Sequence, residues 1–125
     1  MKTVNTDKAP AAIGPYSQAI ISGGLVFTSG QIPVDPATGV IAGETIVEQV
    51  KQVMANLQVV LAAAGTTPER AVKTTCFLAD MADFAAFNEI YAQTFTSKPA
   101  RSCVAVRTLP KGVLCEVEVI AEVED

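Results

Sequence analysis

The 125-residue sequence predicts an α+β fold, in which five to six mostly antiparallel strands form one sheet and two helices cover one of its faces. Two observations carry this prediction. Short apolar–polar alternations separated by glycine- and proline-rich turns fill residues 2–41 and 98–119, as in a β-meander. Two longer segments between them have apolar residues at helical spacing. We therefore expect one domain over residues 1–125 with the element order ββ(β)αβαββ.

Three short strands and a long helix are predicted for the first half of the chain. The strands are Lys2–Asn5, Tyr16–Ser22 and Leu25–Ser29. Thr45 and Glu48 form a capping-box pair, and Gly65 supplies a helix stop. Between them we predict an amphipathic helix of about five turns. Its apolar stripe consists of Ile46, Val50, Val53, Leu57, Val60 and Ala64.

The second half begins with a strand and a helix. Ala71–Leu78 is rich in β-branched and apolar residues, which favours a central strand. Asp80 and Asp83 then start a second helix. One face of this helix is aromatic and carries Phe84, Phe87, Tyr91 and Phe95.

A hairpin is predicted for Lys98–Val119, closed by the proline-glycine turn Leu109–Gly112. The predicted opposite pairs are Thr108–Val113, Ala105–Glu116, Cys103–Glu118 and Arg101–Ile120. Side chains alternate between the faces of a strand. The face predicted to join the core carries Ser102, Val104, Val106, Cys115, Val117 and Val119. The other face carries Arg101, Cys103, Arg107, Glu116 and Glu118.

The charged face of this hairpin allows two interpretations. It is either a solvated surface with cross-strand ion pairs, or a surface turned towards a partner and a site. In the predicted register Arg101 lies roughly 13 Å along the strand from Glu116, at ~3.3 Å per residue. Long side chains could lean together over a small ligand, but a pair drawn from two chains is favoured. Two helices cover only one face of the sheet, and the other face has many small and apolar residues, so we also expect an oligomer.

Composition narrows the class of protein. Half of the residues are hydrophobic and 18% are charged, which is typical of a globular domain. The net charge of −4 argues against a nucleic-acid partner, because such proteins present a basic surface. A signal-peptide pattern and a long uncharged apolar run are both missing, so we expect no membrane partner. Three cysteines, an odd number, favour a cytoplasmic localisation over a disulfide framework.

The chain contains no histidine. Without histidine or a close pair of cysteines, zinc and most transition-metal sites are excluded, as are catalytic triads that depend on histidine. The sequence has no cofactor motif either. We expect a protein that works without a metal or a cofactor.

Four blocks of sequence resemble the RidA (YjgF/YER057c/UK114) family, in the same order and over nearly the whole chain. The blocks are APAAIGPY at residues 9–16, FTSGQIP at 27–33, DFAAFN at 83–88, and PARSCV at 99–104 with LPK at 109–111 and CEVEVIA at 115–121. The resemblance implies a chorismate-mutase-like fold assembled as a homotrimer, with the sheets forming a central barrel. It implies hydrolysis of reactive 2-enamines and 2-imines to 2-oxo acids and ammonia, as by a 2-iminobutanoate/2-iminopropanoate deaminase.

The resemblance also implies roles for individual residues. Arg101 would bind the substrate carboxylate, which suits the planar fork of a guanidinium, and Glu116 would activate the attacking water. Cys103 would act chiefly through its backbone. The residues implied to line the cleft are Tyr16, Ser29, Gly30 and Asn88. Departures from the family pattern at Ala105 and at Arg107-Thr108 concern the substrate range more than the reaction type.

Several alternatives stay open on the sequence alone. Tyr16 is nearly as compatible with a core or interface position as with ligand contact, and Asn88 with an exposed helix position. A reactive thiol at Cys103 has no histidine or clear base to activate it. An RNA-cleaving translation inhibitor and a non-catalytic metabolite-binding or chaperone-like protein are the alternative functions.

Overall fold

Six strands form one mixed sheet in the computed structural model, which describes residues 1–124. The strands are β1 (Lys2–Val4), β2 (Ala19–Ser22), β3 (Leu25–Thr28), β4 (Ala71–Leu78), β5 (Ala100–Ala105) and β6 (Cys115–Glu122). Their order across the sheet is β1-β2-β3-β6-β4-β5. Two helices, α1 (Ile46–Ala63) and α2 (Phe84–Thr94), pack on this sheet. The predicted α+β class, with six strands and two helices, is therefore confirmed.

Helix α1 has the start and the buried stripe that its sequence predicts. The Glu48 amide donates to Thr45 Oγ1 over 3.2 Å, and the Thr45 amide donates to the Glu48 carboxylate over 3.3 Å, so the capping box is formed. These hydrogen bonds lower the pKa of Glu48, with the bond from the Thr45 side chain as the largest cause. Gly65, with φ of 86°, follows the helix and ends it. No helix of residues 1–124 is long and apolar enough to cross a membrane.

Strand β6 has the alternation that was predicted for it. Its buried side chains are Cys115, Val117, Val119 and Ala121, while Glu116, Glu118 and Ile120 point to the opposite face. The buried set packs against α1, where Val50, Val53 and Leu57 are fully buried. Each such apolar side chain stabilises the fold by about 1.5–3 kcal/mol relative to its exposed state. One helix-covered face therefore holds the core.

The predicted hairpin between β5 and β6 is wrong. β5 pairs in parallel with β4, and β4 also pairs antiparallel with β6, so β4 lies between the two strands. None of the predicted cross-strand pairs forms. Leu109–Gly112 does turn, with a 3-10 turn over Pro110–Gly112, but this turn belongs to a connection that passes over the end of β4. A strand, a helix and a strand in succession (β4–α2–β5) make a crossover unit, whose strands are parallel.

This pairing also inverts the predicted faces of β5. Arg101 is opposite Thr74 and Cys103 is opposite Cys76, so both side chains share the helix-covered face. Ser102 and Val104 are on the other face, where Val104 is 46% exposed. The prediction that Ser102 and Val104 belong to the core is therefore wrong, and so is the prediction that Arg101 and Cys103 share a face with Glu116 and Glu118.

The opposite side of the sheet has no helix on it, and we call it the open face. It carries Thr75, Phe77, Ser102, Val104, Glu116, Glu118, Phe27 and Ile120, as the strand register requires. Phe27 is 41% exposed there. Lys73 Nζ donates to Ser102 Oγ over 3.3 Å across β4 and β5. Apolar and polar side chains are thus mixed over a surface that the described chain leaves uncovered.

Candidate functional site

The site residues suggested by the sequence divide into two groups in this chain. Arg101, Asn88 and Cys103 lie together on the helix-covered side, at the outer edge formed by β5, and we call them the arginine half-site. The second group, the glutamate half-site, consists of Tyr16, Ser29, Gly30 and Glu116. Glu116 belongs to the open face. The strand register thus places Arg101 and Glu116 on opposite faces of the sheet.

Helix α2 holds the guanidinium of Arg101. Arg101 Nη1 donates to Asn88 Oδ1 over 2.6 Å. The guanidinium carbon lies 5.4 Å from the ring centre of Phe84 and 4.9 Å from that of Tyr91, within cation–π range. Phe84, Asn88 and Tyr91 are spaced four and three residues apart, which places them on one face of α2. Asn88 is thus a partner of Arg101, and its alternative as an ordinary exposed helix residue is wrong.

Tyr91 is fixed in turn by the sheet. Its hydroxyl shares a hydrogen bond of 2.7 Å with the Thr74 hydroxyl, and Thr74 is the residue opposite Arg101 on β4. Burial raises the pKa of Tyr91, so the phenol stays neutral. Among the described hydrogen bonds of residues 1–124, Arg101 uses Nη1 alone. The remaining N–H donors of its fork are therefore available to a planar anion.

Cys103 lies next to Arg101 as a half-buried thiol. It is directly opposite Cys76 on β4. Burial raises the pKa of Cys103, and the positive charge of Arg101 opposes that shift only in part. Burial also raises the pKa of Cys76 to about 12. Since the thiolate is the nucleophile, this environment does not activate Cys103.

Glu116 packs directly against Gly30 in the glutamate half-site. A Cβ atom on Gly30 would lie 2.8 Å from Cδ and 3.0 Å from Cγ of Glu116, so only glycine leaves room for the carboxyl group. The backbone of Gln31 fixes this contact, because its amide and carbonyl bond to Val117 over 2.8 Å and 3.2 Å. Burial raises the pKa of Glu116, and the charge of Glu118 adds to the increase. Glu116 is thus a carboxyl group that takes up a proton more readily than an exposed one.

Tyr16 and Ser29 lie beside Gly30. The strand predicted to start at Tyr16 starts instead at Ala19, and the preceding loop is tied down by buried Gln18, whose Nε2 donates to the Pro10 carbonyl over 2.8 Å. Tyr16 is 54% exposed and lines a cleft of about 590 Å³ together with Gly30, so it is not a core residue. Ser29 Oγ donates to the Ser17 carbonyl over 2.6 Å, which joins the loop to the end of β3.

Two features of these half-sites were not predicted from the sequence. Phe84 and Tyr91 were predicted on the aromatic face of α2, but their contact with Arg101 was not, although their spacing around Asn88 indicates it. The left-handed backbones of Lys98 and Lys111 were not predicted either. Lys98 lies in the pocket of Arg101, and Lys111 lines the cleft of Tyr16. Within the described 124 residues, histidine, cysteine, aspartate and glutamate side chains do not converge in groups of three that could hold a metal ion.

Comparison with known proteins finds relatives that match nearly the whole chain. Residues 6–123 match the family model described as Endoribonuclease L-PSP. The chain is 55% identical to a RutC family protein of Synechocystis, over 97% of this chain and 95% of the relative. It is 49% identical to the 2-iminobutanoate/2-iminopropanoate deaminase of Salmonella typhimurium, over 96% of both chains.

Solved structures of similar proteins superpose on this chain over nearly its full length. RidA from an Antarctic Psychrobacter species superposes with a TM-score of 0.94 at 40% identity, covering 98% of this chain and 100% of that one. Escherichia coli TdcF with bound serine also gives a TM-score of 0.94, at 43% identity, covering 99% of this chain and 100% of that one.

Proposed function

This chain belongs to the RidA family, and we propose from that membership and from the two half-sites that it hydrolyses 2-imino acids to 2-oxo acids and ammonia. The observation that carries the proposal is the environment of Glu116. A half-buried carboxyl group with a raised pKa is held against a glycine beside a cleft. This is the environment that general acid–base work requires near neutral pH.

The reaction is proposed to begin with the substrate carboxylate on Arg101. The guanidinium donates two parallel hydrogen bonds to the carboxylate, because Asn88 and the two aromatic rings fix the plane of the guanidinium. The TdcF structure contains serine, an amino acid with the same α-carboxylate, which supports this class of ligand. Cys103, two residues further along β5 on the same face, contributes its backbone and limits the space around the substrate.

Glu116 then moves two protons in turn. Its carboxylate takes a proton from water as the water oxygen bonds to the carbon of the protonated imine, which gives a neutral carbinolamine. The protonated carboxyl group passes that proton to the nitrogen, and the carboxylate then removes the hydroxyl proton of the carbinolamine as the C–N bond breaks, which releases ammonia and the 2-oxo acid. Positioned acid–base groups of this kind contribute about 10²–10⁴-fold to a rate. Tyr16, Ser29 and Gly30 are proposed to shape the cleft around the water and the nitrogen.

A complete site requires two subunits under this proposal, since the sheet separates Arg101 from Glu116 within one chain. We assign the arginine half-site to one subunit and the glutamate half-site to its neighbour in a homotrimer. The uncovered open face, with Phe27 and Val104 exposed, supports burial against further copies. Light scattering at micromolar concentration should give three times the mass of the chain, and a stable monomer would contradict the shared site.

Two other functions remain candidates. The family model carries the description of an endoribonuclease, but the net charge of −4 disfavours an RNA substrate. A metabolite-binding protein without turnover would use the same carboxylate-binding arginine. A binding protein without turnover does not need a carboxyl group whose pKa is raised, as that of Glu116 is.

One assay separates the three functions. A serine or threonine dehydratase generates the imine, semicarbazide traps it, and this protein is added. We expect less trapped imine and faster appearance of the 2-oxo acid, and we expect Glu116→Gln to abolish most of the effect. A protein that binds 2-oxobutanoate yet leaves the trapped imine unchanged would be a binding protein. Cleavage of RNA by the purified protein, together with an unchanged level of trapped imine, would favour the ribonuclease.

A further inference from the structure

The pocket beside Arg101 contains a second cation for which the proposed reaction has no role. This pocket has a volume of about 300 Å³, and Lys98 lines it together with Arg101. The complete lining consists of Asn88, Tyr91, Ala92, Phe95, Lys98, Pro99 and Arg101. It contains two positive charges and no acidic side chain.

The backbone of Lys98 is held in an unfavourable conformation. Its φ is 57°, in the left-handed region that side chains with a Cβ seldom adopt. Pro99 follows, and a residue before proline is pushed towards extended conformations instead. Such a conformation is energetically unfavourable and is concentrated at functional sites and ligand clamps. Within residues 1–124, Lys111 is the other non-glycine residue with positive φ, and it lines the cleft of Tyr16.

Neither cation of this pocket has an acidic partner in the described chain. The ion pair formed within residues 1–124 joins Arg70 to Glu124 over 3.6 Å. Thirteen acidic residues against nine basic ones make counterions plentiful in this chain, yet within residues 1–124 none forms an ion pair with Arg101 or Lys98. Two uncompensated positive charges on separate segments, one on β5 and one before it, fit a ligand with two separated negative charges.

We propose that Lys98 binds a second acidic group of the substrate, so that the pocket prefers 2-imino and 2-oxo dicarboxylates to monocarboxylates of the same length. The proposal rests on the proposed function, in which Arg101 takes the α-carboxylate. Lysine suits the second position because its flexible stem and three N–H donors follow a carboxylate at the end of a chain.

Two 2-oxo acids test this preference directly. 2-Oxoglutarate and 2-oxopentanoate have the same five-carbon chain and differ only in a terminal carboxylate in place of a methyl group. Calorimetry at low ionic strength should show tighter binding of 2-oxoglutarate, by about two- to fivefold, the range expected for a solvent-exposed ion pair. The preference should shrink as salt is added, because the pair is screened.

Lys98→Gln should abolish the preference by weakening 2-oxoglutarate alone, with 2-oxopentanoate unchanged. Lys51→Gln is the matched control, since Lys51 is an exposed lysine of α1 and its loss gives the same net charge. Lys98→Gly provides a second variant, because glycine adopts positive φ freely and so removes the side chain without adding strain. Lys98→Gly should behave as Lys98→Gln does.

The outcomes separate this proposal from the proposed function. If imines are hydrolysed but 2-oxoglutarate binds no better than 2-oxopentanoate, the role of Lys98 is wrong and the deaminase stands. If Lys51→Gln weakens 2-oxoglutarate binding as much as Lys98→Gln does, the role of Lys98 is also wrong, because the net charge alone would then explain the preference. If 2-oxoglutarate is preferred through Lys98 but imines are not hydrolysed, the dicarboxylate site stands and the deaminase fails.

Discussion

Gly30→Ala is the most direct test of the contact that positions Glu116. Gly30 is absent from the glycines with positive φ, so alanine fits the backbone there and the effect must come from the added methyl group. That methyl would lie 2.8 Å from Cδ and 3.0 Å from Cγ of Glu116, and closer still to Oε2. The carboxyl group has to move away, so we expect turnover to fall by about 10²–10⁴-fold, as for loss of a general base.

The same contact predicts a coupling between Gly30 and Glu116 in the free energy of unfolding. Overpacking by one methyl group typically costs about 1–3 kcal/mol, and replacing glycine by alanine stabilises by about 0.4–1 kcal/mol through the unfolded chain. In a Glu116→Ala background the clash is gone and only the second contribution remains. A double-mutant cycle should therefore give a coupling free energy of about 1–3 kcal/mol between the two positions.

Urea unfolding of the four proteins at one fixed concentration measures this coupling, since the stability of an oligomer depends on concentration. Equal effects of Gly30→Ala in both backgrounds would show that Glu116 does not occupy the space above Gly30. Full turnover by Gly30→Ala would show that the position of this carboxyl group is irrelevant to the reaction.

Three further predictions concern the charged residues and the thiol. Arg101→Lys should lower kcat/KM for an imine by about 10- to 100-fold although the charge is kept, because the bidentate fork is lost; parent-like kinetics would refute the carboxylate clamp. Cys103→Ser should keep most activity, and a complete loss in an intact oligomer would return the thiol to the mechanism. Because the pKa of Glu116 is raised above its ordinary value of 4.5, its contribution to stability is full below that value and is lost as the pH rises through the folded-state pKa. Glu116→Gln should therefore gain stability relative to the parent as the pH is raised above 4.5 in urea titrations, and a difference that does not change with pH would contradict the cause given for the shift.

Periodicity and capping were enough to predict α1, because a long helix with a buried stripe is specified by local residues. They were also enough for β6, where valines and glutamates alternate without ambiguity. They failed in β5, where the two faces have similar composition. Arg101 and Cys103 share one face, and Ser102 and Val104 share the other, so each face has one polar and one apolar residue. Which face is buried then depends on the neighbouring strand, and a turn signal does not identify that neighbour.

The site residues were predicted from the resemblance to the RidA family. Their arrangement in space is determined by the sheet topology, which the resemblance to individual motifs does not give. Gly30 and Glu116 are far apart in the sequence, and nothing in either segment predicts that one leaves room for the other. The support of Arg101 by Phe84 and Tyr91 was closer to prediction, since both residues flank Asn88 at helical spacing. What could not be predicted was that β4 separates β5 from β6 and so places Arg101 and Glu116 on opposite sides of the sheet.

The central position of β6 governs the order in which this protein can fold. β3 and β4 do not pair with each other, and each pairs instead with β6, which follows every other strand in the chain. During synthesis the β1–β3 meander and the β4–β5 pair can form only as separate pieces, and each exposes a strand edge to neighbouring chains. Closure of the sheet depends on contacts of long sequence separation, which form slowly. Until β6 pairs with β3 and β4, a newly made chain exposes these two edges. It is therefore prone to aggregation during this interval unless the edges are shielded.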